Sequence, residues 1–141
     1  MKPETIYIAT RLGSKAGVAY KADPIDYLYN LRQSLKAAAE VWRKGHYPYI
    51  PGLDFMLYME MDGDYGLGGR SPYAAGLEWL RRCDAVLIYN GLEDSPGVQN
   101  EVEEAKRVGL KIYGSLEEIE PIDERIIESN IVRSVEAQCS T

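Results

Sequence analysis

With 141 residues, 45% of them hydrophobic and 27% charged, the chain has the size and make-up of one globular domain and is too short for two. It contains neither an 18-residue apolar run nor a signal-peptide pattern, so the expectation is a cytoplasmic protein with no membrane partner. A formal charge of −6 argues against a general nucleic-acid binder, whose footprint is a basic face or stripe.

Residues 5 to 10 form the first predicted strand, and it ends at Thr10 and Arg11. The segment that follows carries Arg11, Lys15 and Lys21, with no acid between Glu4 and Asp23, which makes it the one locally positive loop of an acidic chain. Such a loop at the carboxyl end of a parallel strand reads either as a place that draws a phosphate or carboxylate, or as a solvated connection. Pro24 opens a long helix on which Leu28, Leu31, Leu35, Ala38 and Trp42 recur at three- and four-residue steps, predicted to be its covering face, and Gly45 closes it. His46 to Pro51 reads as a second strand with Tyr47 and Tyr49 on one face, and prolines at 48 and 51 put it at or near a sheet edge. Strand, helix and strand in this order imply a right-handed crossover and a parallel pairing. His46, the single histidine, lies beside an Arg-Lys-Gly turn and is expected to be a surface or strand-edge residue.

From Gly52 to Arg70 the pattern is least decisive. Phe55 to Met61 suits a short apolar helix, and residues 62–71 read as a flexible loop, either a lid over a pocket or plain surface. Asp62, Asp64 and Gly66 match part of a calcium loop, but Tyr73 stands where its bidentate glutamate is needed. Gly66-Leu67-Gly68-Gly69 does not join a first strand to its helix, so it is no dinucleotide fingerprint. Ser71-Pro72 then starts a helix with Ala74, Leu77 and Leu80 as its apolar stripe.

The most informative stretch runs from Cys83 to Tyr113. Ala85 to Tyr89 is apolar without alternation, as in a strand buried on both faces of a parallel sheet. Ser95 and Pro96 are the N-cap and first-turn residues of a helix, Gly109 ends it, and Leu110 to Tyr113 starts the next strand. At about 100° per residue, Val98, Val102, Ala105 and Val108 share one stripe, and Glu101 falls inside it while Glu103 points away and Glu104 sits at its edge. An inward carboxylate must be neutralised, paired or used; a hydrogen bond to a neighbouring strand end would also satisfy it. Beyond Tyr113, Ser115 and Glu118 have capping-box spacing, and Pro121 breaks that turn. Residues 122–137 form a final amphipathic helix that either covers the sheet or meets a second subunit, and residues 138 to 141 are expected to fray. Cys83 and Cys139 make no disulfide framework or metal spacing, and read as a core thiol and a tail thiol.

Ser95-Pro96-Gly97, Glu101 four residues after that glycine, then Ala105, Gly109, Lys111 and Tyr113, together with the strand Ile6-Tyr7-Ile8-Ala9 and the approach from Trp79-Leu80 to Asp84, resemble the nucleoside 2-deoxyribosyltransferase superfamily, which includes the 2'-deoxynucleoside 5'-phosphate N-hydrolases. The resemblance covers most of residues 5 to 113 and makes 1–141 a single domain of that kind. It implies Glu101 as the nucleophile at the anomeric carbon, Tyr7 as the residue that orients or tunes it, and Ser95 as the holder of a 5'-phosphate, where the transferases tend to carry an acid. It implies no cofactor and no metal, a nucleoside or nucleotide as the small-molecule partner, and a homo-oligomer. Two features depart from the family: Gly68-Gly69-Arg70 stands where an aspartate is usual, and Thr10-Arg11 where a Gly-Ser pair is usual.

The predicted order of elements suggests a flavodoxin-like, doubly wound α/β fold with a mainly parallel sheet of four to five strands and helices on both faces. Its switch-point crevice would lie between the Thr10-Arg11 end and the Asn90-Gly91 end, with Tyr7, Thr10, Asp84 or Asn90, and Ser95 near Glu101. The helix N-terminus at Ser95 to Gly97 is a natural phosphate seat. Three functions fit this arrangement: an N-glycosidic hydrolase or transferase with Glu101 and Tyr7 catalytic and Thr10, Arg11, Asn90, Ser95 and Gly97 binding substrate; a nucleotide-binding or sensing protein; or an interaction domain in which Glu101 is merely satisfied.

Overall fold

The computed structural model describes residues 1–12, 24–54 and 72–140. The two apolar runs of the sequence become the two central strands, β1 (Thr5–Ala9) and β3 (Ala85–Ile88), flanked by β2 (Tyr47–Tyr49) and β4 (Lys111–Tyr113). The order is β2-β1-β3-β4 and every pairing is parallel, so the first and third strands are neighbours as the flavodoxin-like arrangement requires. Tyr7 lies level with Tyr49 on one side and Val86 on the other.

Because both central strands are covered twice, alternate residues feed two cores. Ile6, Ile8, Ala85 and Leu87 face helix α1 (Pro24–Arg43) with Ala37, Ala38 and Val41. Tyr7, Ala9 and Val86 face the other way, with Leu80 of α2 (Pro72–Leu80) and Val98, Val102 and Ala105 of α3 (Pro96–Val108). Helix α3 begins and ends as its sequence dictates. The Ser95 hydroxyl accepts from the Val98 N–H, Pro96 needs no donor in the first turn, and Gly109 takes the left-handed conformation, φ 76°, that an L side chain would resist.

Helix α1 corrects the predicted stripe. Leu28 and Trp42 are 62% and 64% exposed and Leu35 is exposed too, whereas Asn30, Ser34, Ala37, Ala38 and Val41 are buried. Small side chains let the helix lie close on the sheet, and the two polar ones are satisfied: Asn30 donates to the Leu12 carbonyl at 3.3 Å and Ser34 to the Leu31 carbonyl at 2.7 Å. In α2, Ala74 is exposed and Gly76 is buried, and in α3 Val108 is exposed at the last turn. Ser115 makes no side-chain cap to the 3-10 turn Leu116–Glu118; the Glu118 carboxylate accepts from the Gly114 N–H instead, at 3.0 Å. The final helix, α4, runs Glu124–Cys139, so residues 138 and 139 continue it rather than fray, and none of its residues is buried. It does not cover the sheet.

His46 is buried, against expectation. Its Nδ1 accepts from the Glu4 N–H at 3.1 Å, which leaves Nε2 to donate to the Glu120 carbonyl at 2.8 Å, so the ring clamps the chain after β4 to the turn before β2. Among the described residues strand β2 is an edge, as its prolines foretold. Tyr47 donates inward to the Glu4 carbonyl at 2.9 Å, so the nitrogen of Pro48, next in the pleat, faces the free margin. The predicted 55–61 helix, the 62–71 loop and the positive residues Lys15 and Lys21 lie outside the described residues.

Candidate active site at the sheet switch point

Glu101 is the inward carboxylate the stripe predicted. It is 9% exposed, among Val98, Val102 and Ala105 on the sheet side of α3. Its neighbours in sequence are spent elsewhere. Glu103 pairs with Lys106 at 3.1 Å, and Glu104 takes Arg107 at 2.6 Å and Arg81 at 2.6 Å, Arg107 doing most to hold its carboxyl down at about 2. No cation pairs with Glu101 among the described residues. Instead the Tyr7 phenol donates to its Oε1 at 2.8 Å, and Oε2 is buried with no hydrogen-bond partner among those residues. Burial pushes this carboxyl up to about 8, against a smaller lowering by the Tyr7 hydrogen bond.

Tyr7 is held from two sides. Its ring stacks on Tyr49 at 5.7 Å between centroids, and Tyr49 in turn stacks on Trp79 of α2 at 5.4 Å. Tyr49 also donates to Asp54 at 2.6 Å. On the helix side, Gly76 lets α2 close over the phenol: a methyl group there would fall 3.3 Å from the Tyr7 oxygen. Tyr49 was read from the sequence only as a strand residue and Trp79 only as part of the family resemblance, and Gly76 and Asp54 were not singled out at all. The spacing of Tyr49 two residues after Tyr47 was visible, but only strand register puts it beside Tyr7.

The switch point itself is braced by its own ends. The side-chain oxygen of Asn90, after β3, accepts the Arg11 N–H at 2.8 Å, joining the exits of β1 and β3. Gly91 (φ 87°) turns the chain so tightly that a Cβ there would meet Val98, Arg11 and Ser95 side-chain carbons at 3.1 to 3.2 Å. Arg11 is thereby packed toward the start of α3, ion-paired with Asp94, while its Nε is buried with no hydrogen-bond partner among the described residues. Thr10 is buried, and Ser95 and Gly97 are half-buried at the helix start. Thus Tyr7 and Glu101 come together directly, and Arg11, Asn90 and Ser95 form a second cluster at the strand exits.

Asp84, one of the predicted neighbours of Glu101, belongs elsewhere. It precedes β3 and so stands at the opposite end of the parallel sheet, where Oδ2 accepts from the Thr5 N–H at 2.8 Å and the Thr5 hydroxyl at 3.0 Å. Cys83 beside it is half-buried, its thiol pushed up to about 11 by burial first and the Asp84 charge second, which favours the packed thiol over the thiolate. Among the described residues no group of three His, Cys, Asp or Glu is placed to hold a metal ion, and no helix is long and apolar enough to cross a membrane.

An inward carboxylate tuned by a tyrosine and set below the switch point of a flavodoxin-like α/β sheet defines the class of site. The chain belongs to the family described as Domain of unknown function (DUF7768), whose model matches residues 5–114, a span from β1 through β4 that includes every residue of both clusters. Comparison with curated proteins and with solved structures gave no match.

Proposed function

We propose that the protein cleaves or transfers at the N-glycosidic bond of a nucleoside or nucleoside 5'-monophosphate. The observation that carries this reading is the buried Glu101 carboxyl, tied to Tyr7 through one oxygen and, among the described residues, without a partner on the other, on the helix that enters from the strand exits. The resemblance to the nucleoside 2-deoxyribosyltransferase superfamily supplies the reaction. Ionised Glu101 attacks the anomeric carbon through its free oxygen, the C–N bond breaks with its electron pair going to the base, and the base takes a proton from solvent as it leaves, a proton that the attacking water or second base gives back in the next step. Water, or the nitrogen of a second base, then displaces the carboxylate from the glycosyl ester and restores it. Tyr7 holds the carboxyl in place throughout. The Ser95 hydroxyl and the Arg11 Nε–H, which has no hydrogen-bond partner among the described residues, are the donors that suit a 5'-phosphate, with Gly97 at the helix start and Thr10 and Asn90 at the strand exits completing the binding set. The same resemblance carries the expectation of a homo-oligomer.

One observation favours a second reading, nucleotide binding without turnover. A carboxyl pushed up to about 8 is mostly protonated at neutral pH and is then a weak nucleophile. Incubation with a panel of nucleosides and nucleoside monophosphates, reading free base by chromatography, separates the two. The first reading expects base release that Glu101→Ala abolishes and Glu103→Ala leaves intact. Nucleotide-dependent thermal stabilisation with no base released, for any member of the panel, supports the second and overturns the first.

A further inference from the structure

Two tyrosines on neighbouring strands each give a hydroxyl to a carboxylate. Tyr7 of β1 donates to Glu101 at 2.8 Å, and Tyr49 of β2, level with it in the strand register, donates to Asp54 at 2.6 Å. The two rings stack at 5.7 Å with 27° between their planes, and Trp79 of α2 stacks on Tyr49 in turn at 5.4 Å and 25°. Asp54, Tyr49, Tyr7 and Glu101 are therefore a continuous series of contacts from the β2 side of the sheet to the buried carboxyl. The outer end of the series is fixed. Asp54 ends the 3-10 turn Pro51–Leu53 and donates its backbone N–H to the Pro51 carbonyl. The Gly52 carbonyl of that turn accepts from the Tyr27 hydroxyl of α1 at 2.7 Å, and a methyl at Gly52 would come within 2.9 Å of Leu12 and 3.0 Å of Leu31. Backbone pairing alone gives Tyr7 less support on this side, because β2 meets β1 over three residues only.

We infer that Tyr49 is a positioning residue for Glu101: held by Asp54 and Trp79, it sets the ring of Tyr7 and so keeps the Tyr7 hydroxyl aimed at the Glu101 carboxyl. The inference rests on the reading of Glu101 as the working group of the site, and adds to it the part that fixes how readily that group ionises. A hydrogen bond weakens steeply as its angle closes, and one made to a charged acceptor is among the strong ones. A Tyr7 ring released on its Tyr49 side gives the carboxylate less support, so Glu101 keeps its proton to higher pH. A ring that only kept water out would act with the opposite sign, because its removal would let solvent reach the carboxylate and ease ionisation. Few other charges are placed to interfere. Arg81, after α2, is tied to Glu104, and Arg11 at the strand exits is paired with Asp94. The remaining neighbours of Glu101 in that core, Leu80, Val86, Val98, Val102 and Ala105, are apolar.

The test reads the proton of Glu101 directly, in the full chain, by carbon-13 NMR of labelled glutamate carboxyls, with the Glu101 resonance assigned by its absence in Glu101→Gln. Tyr49→Leu, which removes the ring, is expected to move the Glu101 midpoint up by about 0.5 to 1 pH unit. Tyr49→Phe and Asp54→Ala, milder changes that keep the stacked ring and break only its anchor, should move it in the same direction by less, and Asp54→Asn, which still offers an acceptor to the Tyr49 hydroxyl, should restore the wild-type value. Because Tyr49 acts through Tyr7, adding Tyr49→Leu to Tyr7→Phe should give no shift beyond that of Tyr7→Phe alone. An unchanged midpoint in all three of Tyr49→Leu, Tyr49→Phe and Asp54→Ala overturns the inference. So does a downward shift, which would make Tyr49 a seal against water, and so do additive shifts in the double variant, which would route its effect around Tyr7. Turnover plays no part in this measurement, so a protein that releases no base from any nucleotide loses the N-glycosidic reading and leaves the role of Tyr49 to be decided by the same titration.

Discussion

The Tyr7 hydroxyl and the Glu101 carboxylate, 94 residues apart in sequence, meet at 2.8 Å in the interior and join the central strand to helix α3. No cation stands with them among the described residues, so the proton of this pair is governed by burial, and four measurable consequences follow from it and from the turn above it.

Glu101 makes folding stability fall as pH rises. Its carboxyl titrates near 8 in the folded chain against 4.5 as the ordinary value. Below about 4.5 both states hold the proton and the group contributes no difference. Between the two values only the folded state holds it, so stability declines steadily with pH, and above about 8 the loss is complete, at up to ~5 kcal/mol. Glu101→Gln removes this dependence. Urea unfolding at pH 5 and pH 9 should show the variant gaining on the wild type at the higher pH; equal differences at both would contradict the burial of an ionisable Glu101.

If Glu101 is a nucleophile, the rate should carry the same titration. kcat/KM for base release is expected to climb with pH to a plateau above about 8, since only the ionised carboxylate attacks. Tyr7→Phe removes the hydrogen bond that favours that ionised form, so the climb should move to higher pH while the ring keeps its stack on Tyr49. An unchanged profile in Tyr7→Phe would show the phenol to be a packing element only.

The two left-handed glycines of the β3-α3-β4 unit separate backbone strain from crowding. Gly91 and Gly109 both have positive φ, but a methyl at Gly109 meets nothing within 4 Å, whereas at Gly91 it meets Val98, Arg11 and Ser95. Gly109→Ala should cost roughly 1 kcal/mol, from strain alone. Gly91→Ala should cost more, by about 1 to 3 kcal/mol of overpacking. Equal losses in thermal unfolding would mean the Gly91 turn has room that its contacts do not suggest.

Arg11 should decide between nucleosides and their monophosphates. Its guanidinium keeps a buried, unused Nε–H at the start of α3 while Asp94 occupies the other side. Arg11→Ala is expected to raise KM for a 5'-monophosphate by about tenfold or more and to leave the nucleoside nearly unaffected, as loss of one charge-assisted bond would do. A uniform loss for both substrates would assign Arg11 to bracing the Asn90 turn.

Much of this arrangement could be read from residue order. The cap at Ser95, the stop at Gly109 and the single inward acid of three follow from local chemistry and a 100° wheel, and each stands where that reasoning put it. Helix α1 misled for a physical reason. Periodicity is weighted by large apolar residues, yet the helix lies against the sheet through Ala37, Ala38 and Ser34 because only small side chains permit that approach, and Leu28 and Trp42 are left outside. The Trp79-Tyr49-Tyr7 stack was hidden because it spans three elements and depends on a register no single segment carries. Asp84 was misplaced because closeness in sequence to β3 says nothing about which end of the sheet it occupies.

Pro48 has one further effect, at the outer border of β2. A strand arriving from another molecule would seek hydrogen-bond donors along that border and find a pyrrolidine ring at the middle of three residues. The sheet is therefore closed to lateral growth on that side, and concentrated solutions should not thicken into fibrils by recruitment at β2.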